Sequence, residues 1–252
     1  MQTWAILIAG AAAAGWVDAM IGGGGLILIP LILAVLPGLP PAVALATNKL
    51  AAVSGTASAA VTMVRNVPVN RRLLLGYVPL AAVCSGGGAL VAALLSKEVM
   101  RPVVIVLMIF AGVFVALRPS FGKGESLAVP GRTRQMLTLL GIGGIAFYDG
   151  IFGPGTGMFL IMLFTGVLSQ NFLASTALTK VVNTATNLGA LAVFALHGHV
   201  WWELGLGLAV ANVIGAQIGA RTVLGGGAKL IRIALLTMVV VMSVYLSWQQ
   251  WG

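Results

Sequence analysis

Two lysines lie far from any other charged residue in a very apolar chain. Lys49 is flanked by uncharged runs over residues 19–48 and 50–64, and Lys180 by uncharged runs over residues 150–179 and 181–202. A lysine inside a membrane segment costs free energy, so it should face a partner, water or a ligand. An ammonium group binds the oxygens of an anion well. The lysines therefore predict an anion site; the alternative is a lysine near a helix end that extends to the membrane surface.

Hydroxyl and amide side chains accompany both lysines. Asn48 and Thr179 directly precede them, and steps of three and four residues place Asn183 and Asn187 on the same helix face as Lys180. These groups supply hydrogen-bond donors that suit a small oxyanion with several acceptor oxygens. The side chains that we expect to bind the substrate are Asn48, Lys49, Thr179, Lys180, Asn183 and Asn187.

Each lysine follows a stretch in which a helix can hardly continue. Residues 22–25 are four glycines, and Gly153-Pro-Gly-Thr156 occupies the matching place in the second half. A helix that restarts after such a break presents unpaired N–H groups and a partial positive charge, which attract anions. The alternative is that these glycines only allow close helix packing, the role that we expect for Gly215 and Gly219. The residues of the breaks that we expect in the substrate site are Gly22, Gly23, Gly24, Gly25, Gly153, Gly155 and Thr156.

The two aspartates of the chain stand just before the breaks. A carboxylate in apolar surroundings takes up a proton readily, so Asp18 and Asp149 are candidates for coupling transport to a proton gradient. An aspartate can also cap the N–H groups of the segment that follows it. The two interpretations are compatible, and the sequence leaves both open.

The chain consists of two copies of one unit. A displacement of 131 residues aligns Asp18 with Asp149 and Lys49 with Lys180, without any insertion. We therefore predict a first half over residues 1–118 and a second half over residues 136–252. Between them, residues 119–135 are rich in turn formers and charge and form the predicted linker.

Apolar stretches predict helices over residues 4–20, 26–36, 42–64, 73–95 and 102–117, repeated in the second half, with about eight hydropathy spans. The second helix of each half is too short to span a membrane, so each half opens with a broken or re-entrant helix. If each broken helix crosses the membrane once, the twelve other basic residues divide seven to five between the two sides. If each broken helix instead re-enters or crosses twice, the halves are inverted and ten of the twelve fall on one side. The positive-inside rule favours this arrangement, with both chain ends outside. The predicted fold class is an all-α polytopic membrane protein with two inverted repeats.

Composition supports a membrane location and excludes several functions. Of the 252 residues, 60% are hydrophobic and 8% are charged, which excludes a soluble enzyme. The net charge of +9 comes without a basic run interleaved with aromatic residues, so nucleic acid is not an expected partner. No pairing of a nucleophile with a base predicts catalysis. His197 and His199 beside Trp201 predict an aromatic turn at the membrane interface rather than a metal site, and we expect no cofactor.

The motifs resemble those of the TauE/SafE sulfite exporter family, also called the toluenesulfonate uptake permease family. The resemblance rests on Gly15-Trp-Val-Asp18 with the four glycines that follow, and on Ala44-Leu-Ala-Thr-Asn48-Lys-Leu. Tyr148-Asp149-Gly-Ile-Phe-Gly-Pro-Gly-Thr-Gly157 and Ala177-Leu-Thr-Lys180 resemble the second repeat of that family, so nearly the whole chain is covered. The resemblance implies a bacterial inner-membrane secondary transporter, linked to protons, for sulfite, sulfoacetate or another organosulfonate, with a direction that varies among members.

We therefore expect a secondary anion transporter that exports sulfite or a sulfonate, with two halves that rock about a midplane site. An exposed lysine pair would draw the anion in, and protonation of the aspartates would bias which face opens. The alternatives are an anion channel with the same basic lining and an uptake permease for another small organic anion. The expected partners are the anion, protons and the lipid bilayer, and the sequence is compatible with a homodimer.

Overall fold

Eight α-helices make up the described part of the molecule. The computed structural model describes residues 2–94 and 131–225. In the first half every described helix begins and ends within two residues of its predicted bounds, and α5 begins at Arg132, inside the predicted linker. The predicted helix over residues 102–117, its counterpart and most of that linker lie outside the described residues. The helices are α1 (Gln2–Ile21), α2 (Gly25–Val35), α3 (Pro41–Asn66), α4 (Arg71–Leu94), α5 (Arg132–Ile151), α6 (Thr156–Gly166), α7 (Phe172–Leu196) and α8 (Trp202–Leu224).

The first four helices correspond one by one to the last four. A displacement of 131 residues superimposes the bounds of α2 on those of α6, and it places the other three pairs within one residue of each other. The same displacement relates the lysines and the aspartates. Helix boundaries therefore follow the internal similarity of the sequence.

A short helix folds back on a long one at the start of each set of four. Gly10 of α1 packs directly against the side chain of Leu31, and Gly24 lies beside Ala14, so α2 runs antiparallel to α1. In the second set Gly141 of α5 packs in the same way against a leucine of α6. The predicted breaks are therefore present, and each one reverses the chain.

Glycines bring the long helices close together. A Cβ on Gly215 or Gly219 of α8 would collide with the backbone of α1, and a Cβ on Gly88 of α4 would collide with the backbone of α5. Gly150 of α5 presses in turn against the backbone of α4. The predicted packing role of Gly215 and Gly219 is confirmed, and small residues at such contacts are typical of membrane helices.

The central helices α3 and α7 run in opposite directions. Leu45, near the start of α3, clusters with Phe194, near the end of α7. At the other end of the pair, Met63 of α3 clusters with Ala174 of α7. α8 runs alongside α3 in the same direction, because its Gly205 contacts Leu50 and a later residue of α8 reaches Ser58.

All arginines of the described ranges lie at one end of the bundle, which we call the arginine end. Met63, Val67, Ala174 and Val223 cluster there, at the end of α3, the start of α7 and the end of α8. The loop before α7 lies at the same end, because Arg134 Nη1 donates to Ser169 Oγ at 3.3 Å. The arginines are Arg65, Arg71, Arg72, Arg132, Arg134 and Arg221. The opposite end carries Trp4, Trp201 and Trp202, and we call it the tryptophan end.

The described helices fit a bilayer. By length and apolar composition, three of them can each cross a membrane alone: α1, α4 and α8. α3 and α7 are long enough but carry the polar residues of the predicted site, which lower their hydropathy. Large apolar side chains such as Leu75, Val83 and Val210 project from the surface, as expected where lipid is the solvent. The predicted fold class of an all-α membrane protein is confirmed.

Candidate functional site

The two chain breaks cross each other in the interior. Gly157 donates its backbone N–H to the carbonyl oxygen of Gly22 at 3.2 Å. Gly22 has a φ of 78°, and a Cβ on either glycine would overlap the backbone of the other. Only glycine allows both this conformation and this approach. Gly157 lies at the crossing, although in the sequence it stands only in the family motif and not among the expected site residues. Its place directly after the break is the signal for this contact.

The second break is held by hydrogen bonds of its own. Thr156 Oγ1 donates to the carbonyl oxygen of Gly153 at 2.7 Å, and the Tyr148 hydroxyl donates to the carbonyl oxygen of Pro154 at 2.7 Å. Gly153 and Gly155 have φ angles of 97° and 83°. Tyr148 and Pro154 stand in the motifs of the sequence, but the bond between them is not predictable from it, because the bond depends on how the break folds.

Lys49 of the first half is paired with Asp149 of the second half. Lys49 Nζ donates to Asp149 Oδ2 at 2.6 Å, and each side chain is only 2% exposed. Gly153 lies directly beside the ammonium group. This is a short, fully buried ion pair that joins α3 to the end of α5, next to the second break.

Lys180 of the second half is paired with Asp18 of the first half in a more open arrangement. Lys180 Nζ lies 3.3 Å from Asp18 Oδ2 and also donates to the backbone carbonyl oxygen of Asp18. Asp18 Oδ1 accepts the backbone N–H of Gly24 at 3.2 Å, so the capping interpretation is confirmed for this aspartate. Lys180 is buried, whereas the Asp18 side chain is 14% exposed.

The two pairs correct the sequence-based view of the lysines in one respect. The expectation of an exposed lysine pair is wrong, because both ammonium groups are buried against a carboxylate. Each lysine finds its partner in the other half of the chain, which the residue pattern within one half does not reveal. The N–H groups of Gly24, Thr156 and Gly157 are bonded within the protein, so an anion would have to replace protein acceptors there.

Asn48 lies beside the crossing, and Thr179 occupies the equivalent position in the second half. The amide of Asn48 and Pro154 of the other break both lie beside Gly25, where α2 begins. Thr179, which the displacement of 131 relates to Asn48, is fully buried, and its hydroxyl has no hydrogen-bond partner within the described ranges. An unpaired buried hydroxyl is costly, and it suits a ligand that can bond to it.

Asn183 and Asn187 share the buried face of α7 with Lys180, as predicted. Asn187 Nδ2 donates to the Asn183 carbonyl oxygen at 2.8 Å, and Thr186 Oγ1 donates to Asn183 Oδ1 at 3.1 Å. The structure thus places them one and two turns beyond Lys180, in bonds within α7 rather than in contact with the glycine breaks. His197 and His199 lie in the turn before α8, and no three metal-binding side chains gather in the described ranges.

Comparison with known proteins agrees with this architecture. A family profile described as "Sulfite exporter TauE/SafE" matches residues 7–246. "Probable membrane transporter protein ORF9" of Sinorhizobium sp is 35% identical over 96% of this chain and 91% of its own length. "Probable membrane transporter protein YfcA" of Escherichia coli K12 is 35% identical over 95% of this chain and 87% of its own length.

A third relative, named "Probable membrane transporter protein", comes from Haemophilus influenzae and is 34% identical over 95% of this chain. No solved structure matches the chain significantly. The helical spans and the names of these relatives together confirm a multi-pass protein of the inner membrane. The chain belongs to the TauE/SafE sulfite exporter family of membrane transporters.

Proposed function

We propose that the protein is a secondary transporter that exports a small sulfur oxyanion, such as sulfite, sulfoacetate or a related organosulfonate. The observation that carries this proposal is the pair of buried ammonium groups at the crossing of two broken helices, each held by a carboxylate of the other half. An oxyanion offers the same oxygen acceptors as a carboxylate, so it can take the place of an aspartate on a lysine. The chain is not proposed to act as an enzyme.

The proposed substrate site surrounds this crossing. It combines the two ammonium groups with the donors of the breaks and of the central helices. The buried hydroxyl of Thr179 supports it because that group has no hydrogen-bond partner among the described residues. The residues that we propose for it are Gly22, Gly23, Gly24, Gly25, Asn48, Lys49, Gly153, Gly155, Thr156, Thr179, Lys180, Asn183 and Asn187.

Proton coupling follows from the same pairs. A carboxylate that takes up a proton no longer balances the charge of its lysine, which leaves the ammonium group to bind an anion. The charged groups that face these carboxyls in the described ranges are Lys180 at Asp18 and Lys49 at Asp149, and Lys49 also interacts electrostatically with Asp18. We therefore propose that protonation of these carboxyls is coupled to transport of the anion and biases which face of the site opens.

Alternating access is supported by the arrangement of the helices. α3 and α7 are related by the internal repeat and run antiparallel, and α2 and α6 each reverse the chain. These are the features of inverted repeats, in which one half rocks against the other around a central site. The arginine end is proposed to face the cytoplasm, because positive residues favour that side. A homodimer remains a prediction.

Flux through the purified protein in sealed vesicles tests the proposal. Uptake of radiolabelled sulfite and sulfoacetate should saturate with concentration, and an imposed proton gradient should drive accumulation. A flux that rises linearly with concentration and does not respond to the proton gradient would identify an anion channel instead.

A double variant tests the site itself. Lys49→Ala combined with Lys180→Ala should abolish saturable flux in correctly inserted protein, because no buried cation of the described ranges remains to bind the anion. Unchanged flux of both anions in this variant would show that the site lies elsewhere. The amount and the sedimentation of inserted protein are the controls for folding.

A further inference from the structure

The two ion pairs at the site differ in closeness, burial and number of bonds. Lys49 and Asp149 are 2.6 Å apart and equally buried, and within the described ranges Lys49 donates only to this carboxylate. Lys180 and Asp18 are 3.3 Å apart, and Lys180 also donates to the main chain of Asp18. The Asp18 carboxylate has a second donor in Gly24 N–H, and 14% of its side chain is exposed.

The pairs also lie at different depths in the bundle. Lys49 lies eight residues after the start of α3, and Lys180 lies eight residues after the start of α7, but these helices run in opposite directions. Lys180 is therefore closer to the arginine end and Lys49 closer to the tryptophan end. Asp18 agrees with this placement, because the last residues of α1 cluster with Met63 and Val223 at the arginine end.

We propose that Lys180 is the ammonium group that receives the transported anion from the arginine end, that Asp18 is the carboxylate which the anion displaces, and that the Lys49–Asp149 pair closes the path toward the tryptophan end. This assignment rests on the proposed anion transport and adds a division of labour between two lysines that the internal repeat makes equivalent in sequence. In the opposite state of the transport cycle the two pairs exchange roles.

The hydrogen bonds of each pair explain why the anion displaces Asp18 from its lysine rather than Asp149. When an anion takes Lys180, the Asp18 carboxylate keeps the N–H of Gly24, and Lys180 keeps the carbonyl oxygen of Asp18. Neither group is left buried without a partner, which is the costly outcome. Separation of Lys49 from Asp149 would leave two unpaired charges in apolar surroundings. This pair therefore stays closed.

A thiol-modification experiment tests the difference without any assumption about the cargo. Cys84 is the only cysteine, so Cys84→Ser gives a thiol-free background. Asp18→Cys and Asp149→Cys are then compared in detergent, with 2-sulfonatoethyl methanethiosulfonate, an anionic sulfonate, as the reagent. The thiol at position 18 should react at least about tenfold faster, because only that carboxylate is partly open.

Equal rates, or faster reaction at position 149, would overturn the assignment. If Asp149→Cys does not fold by itself, each cysteine variant is combined with Lys→Met at its own partner, as Lys49→Met or Lys180→Met. The same order of rates is expected, because the two positions differ in burial as well as in charge.

Equilibrium binding of radiolabelled sulfite gives the second readout. Asp18→Asn should bind sulfite about tenfold more tightly than the unaltered protein, because no carboxylate competes for Lys180. Asp149→Asn should lower the melting temperature and should not tighten binding. The double variant Lys180→Met with Asp18→Asn should bind sulfite about a hundredfold or more weakly than the unaltered protein. The double variant Lys49→Met with Asp149→Asn should bind sulfite less than about tenfold more weakly.

Tighter binding in Asp149→Asn but not in Asp18→Asn would contradict the assignment. If the unaltered protein binds no sulfite at all, the proposed cargo is wrong, and the rates of thiol modification still decide between the two pairs. The failure of the proposed function is thereby distinguished from the failure of this inference.

Discussion

Gly22 lies where the two breaks meet, and its hydrogen atom fills the place that any side chain would need. Its φ of 78° disfavours residues with a Cβ, and the backbone of Gly157 occupies the space of that Cβ. Gly22→Ala should therefore lower the free energy of unfolding by about 3 kcal/mol or more. The measurement is thermal unfolding in detergent. Gly76→Ala is the matched control, because nothing lies within 4 Å of its Cβ position in α4, and it should be neutral or stabilising by up to about 1 kcal/mol.

The hydroxyls of Thr179 and Ser175 on α7 are buried without a hydrogen-bond partner in the described ranges. Because its hydroxyl is unpaired there, Thr179→Val should stabilise the ligand-free protein by about 1 kcal/mol and should weaken sulfite binding. Thr176 is equally buried, but its hydroxyl donates to the Phe172 carbonyl oxygen at 2.7 Å, so Thr176→Val should not stabilise. Melting temperatures with and without sulfite separate the two effects. A loss of stability in Thr179→Val would show that an unseen partner, such as water, already satisfies the group.

The sequence identifies the lysines and aspartates of the candidate site but not the bonds between them. Lys49 and Lys180 stood out because charge is rare in the chain, and the aspartates because they precede the breaks. Which carboxylate each lysine meets depends on how the halves pack, since Lys49 and Asp149 are 100 residues apart. The exposure of the lysines was mispredicted for the same reason: a partner from the other half makes burial tolerable.

The helices themselves follow from local sequence more directly. Glycine and proline interrupt an apolar run at both breaks, so the places where α1 and α5 end could be read from composition. The way that the breaks cross could not, because it requires the contact between Gly22 and Gly157 of different halves. Local rules thus define the helices, and the glycine contacts decide how they assemble.

Two interfaces that the repeat makes equivalent are built in different ways. Between α3 and α8, Gln217 Nε2 donates to the Ser58 carbonyl oxygen at 3.0 Å, and Thr62 Oγ1 donates to Gln217 Oε1 at 3.0 Å. In the equivalent interface of α4 and α7, glycines 86 and 189 face each other instead.

Gln217→Leu should therefore destabilise the protein by about 1 kcal/mol through the loss of interhelical hydrogen bonds. Ile218→Leu is the control, because the neighbouring Ile218 is 56% exposed and contributes no such bond. The comparison is made by chemical denaturation in detergent. An equal midpoint for both variants would mean that packing alone, without these bonds, holds α3 to α8.

The whole molecule has a polar asymmetry that its internal symmetry does not require. An inverted pair of halves would place equal charges at both ends, but all arginines of the described ranges lie at one end, and Trp4, Trp201 and Trp202 lie at the other. Charge in the short loops therefore orients two otherwise interchangeable halves. The looser ion pair lies toward the arginine end, so orientation in the membrane would also determine from which side the proposed anion meets Lys180.

Orientation is testable by cysteine labelling from one side of the membrane. In the Cys84→Ser background, Asn70→Cys lies between α3 and α4 at the arginine end, and Gly38→Cys lies between α2 and α3 at the opposite end. A membrane-impermeant maleimide should label position 70 only in inside-out vesicles and position 38 only in right-side-out vesicles, because the arginine end is expected to face the cytoplasm. Labelling of both positions from the same side would mean that α3 does not cross the bilayer, and the inverted arrangement would have to be abandoned. Labelling in the reversed pattern would keep that arrangement but turn the transporter around, so that Lys180 would receive its anion from outside and uptake rather than export would be the favoured direction.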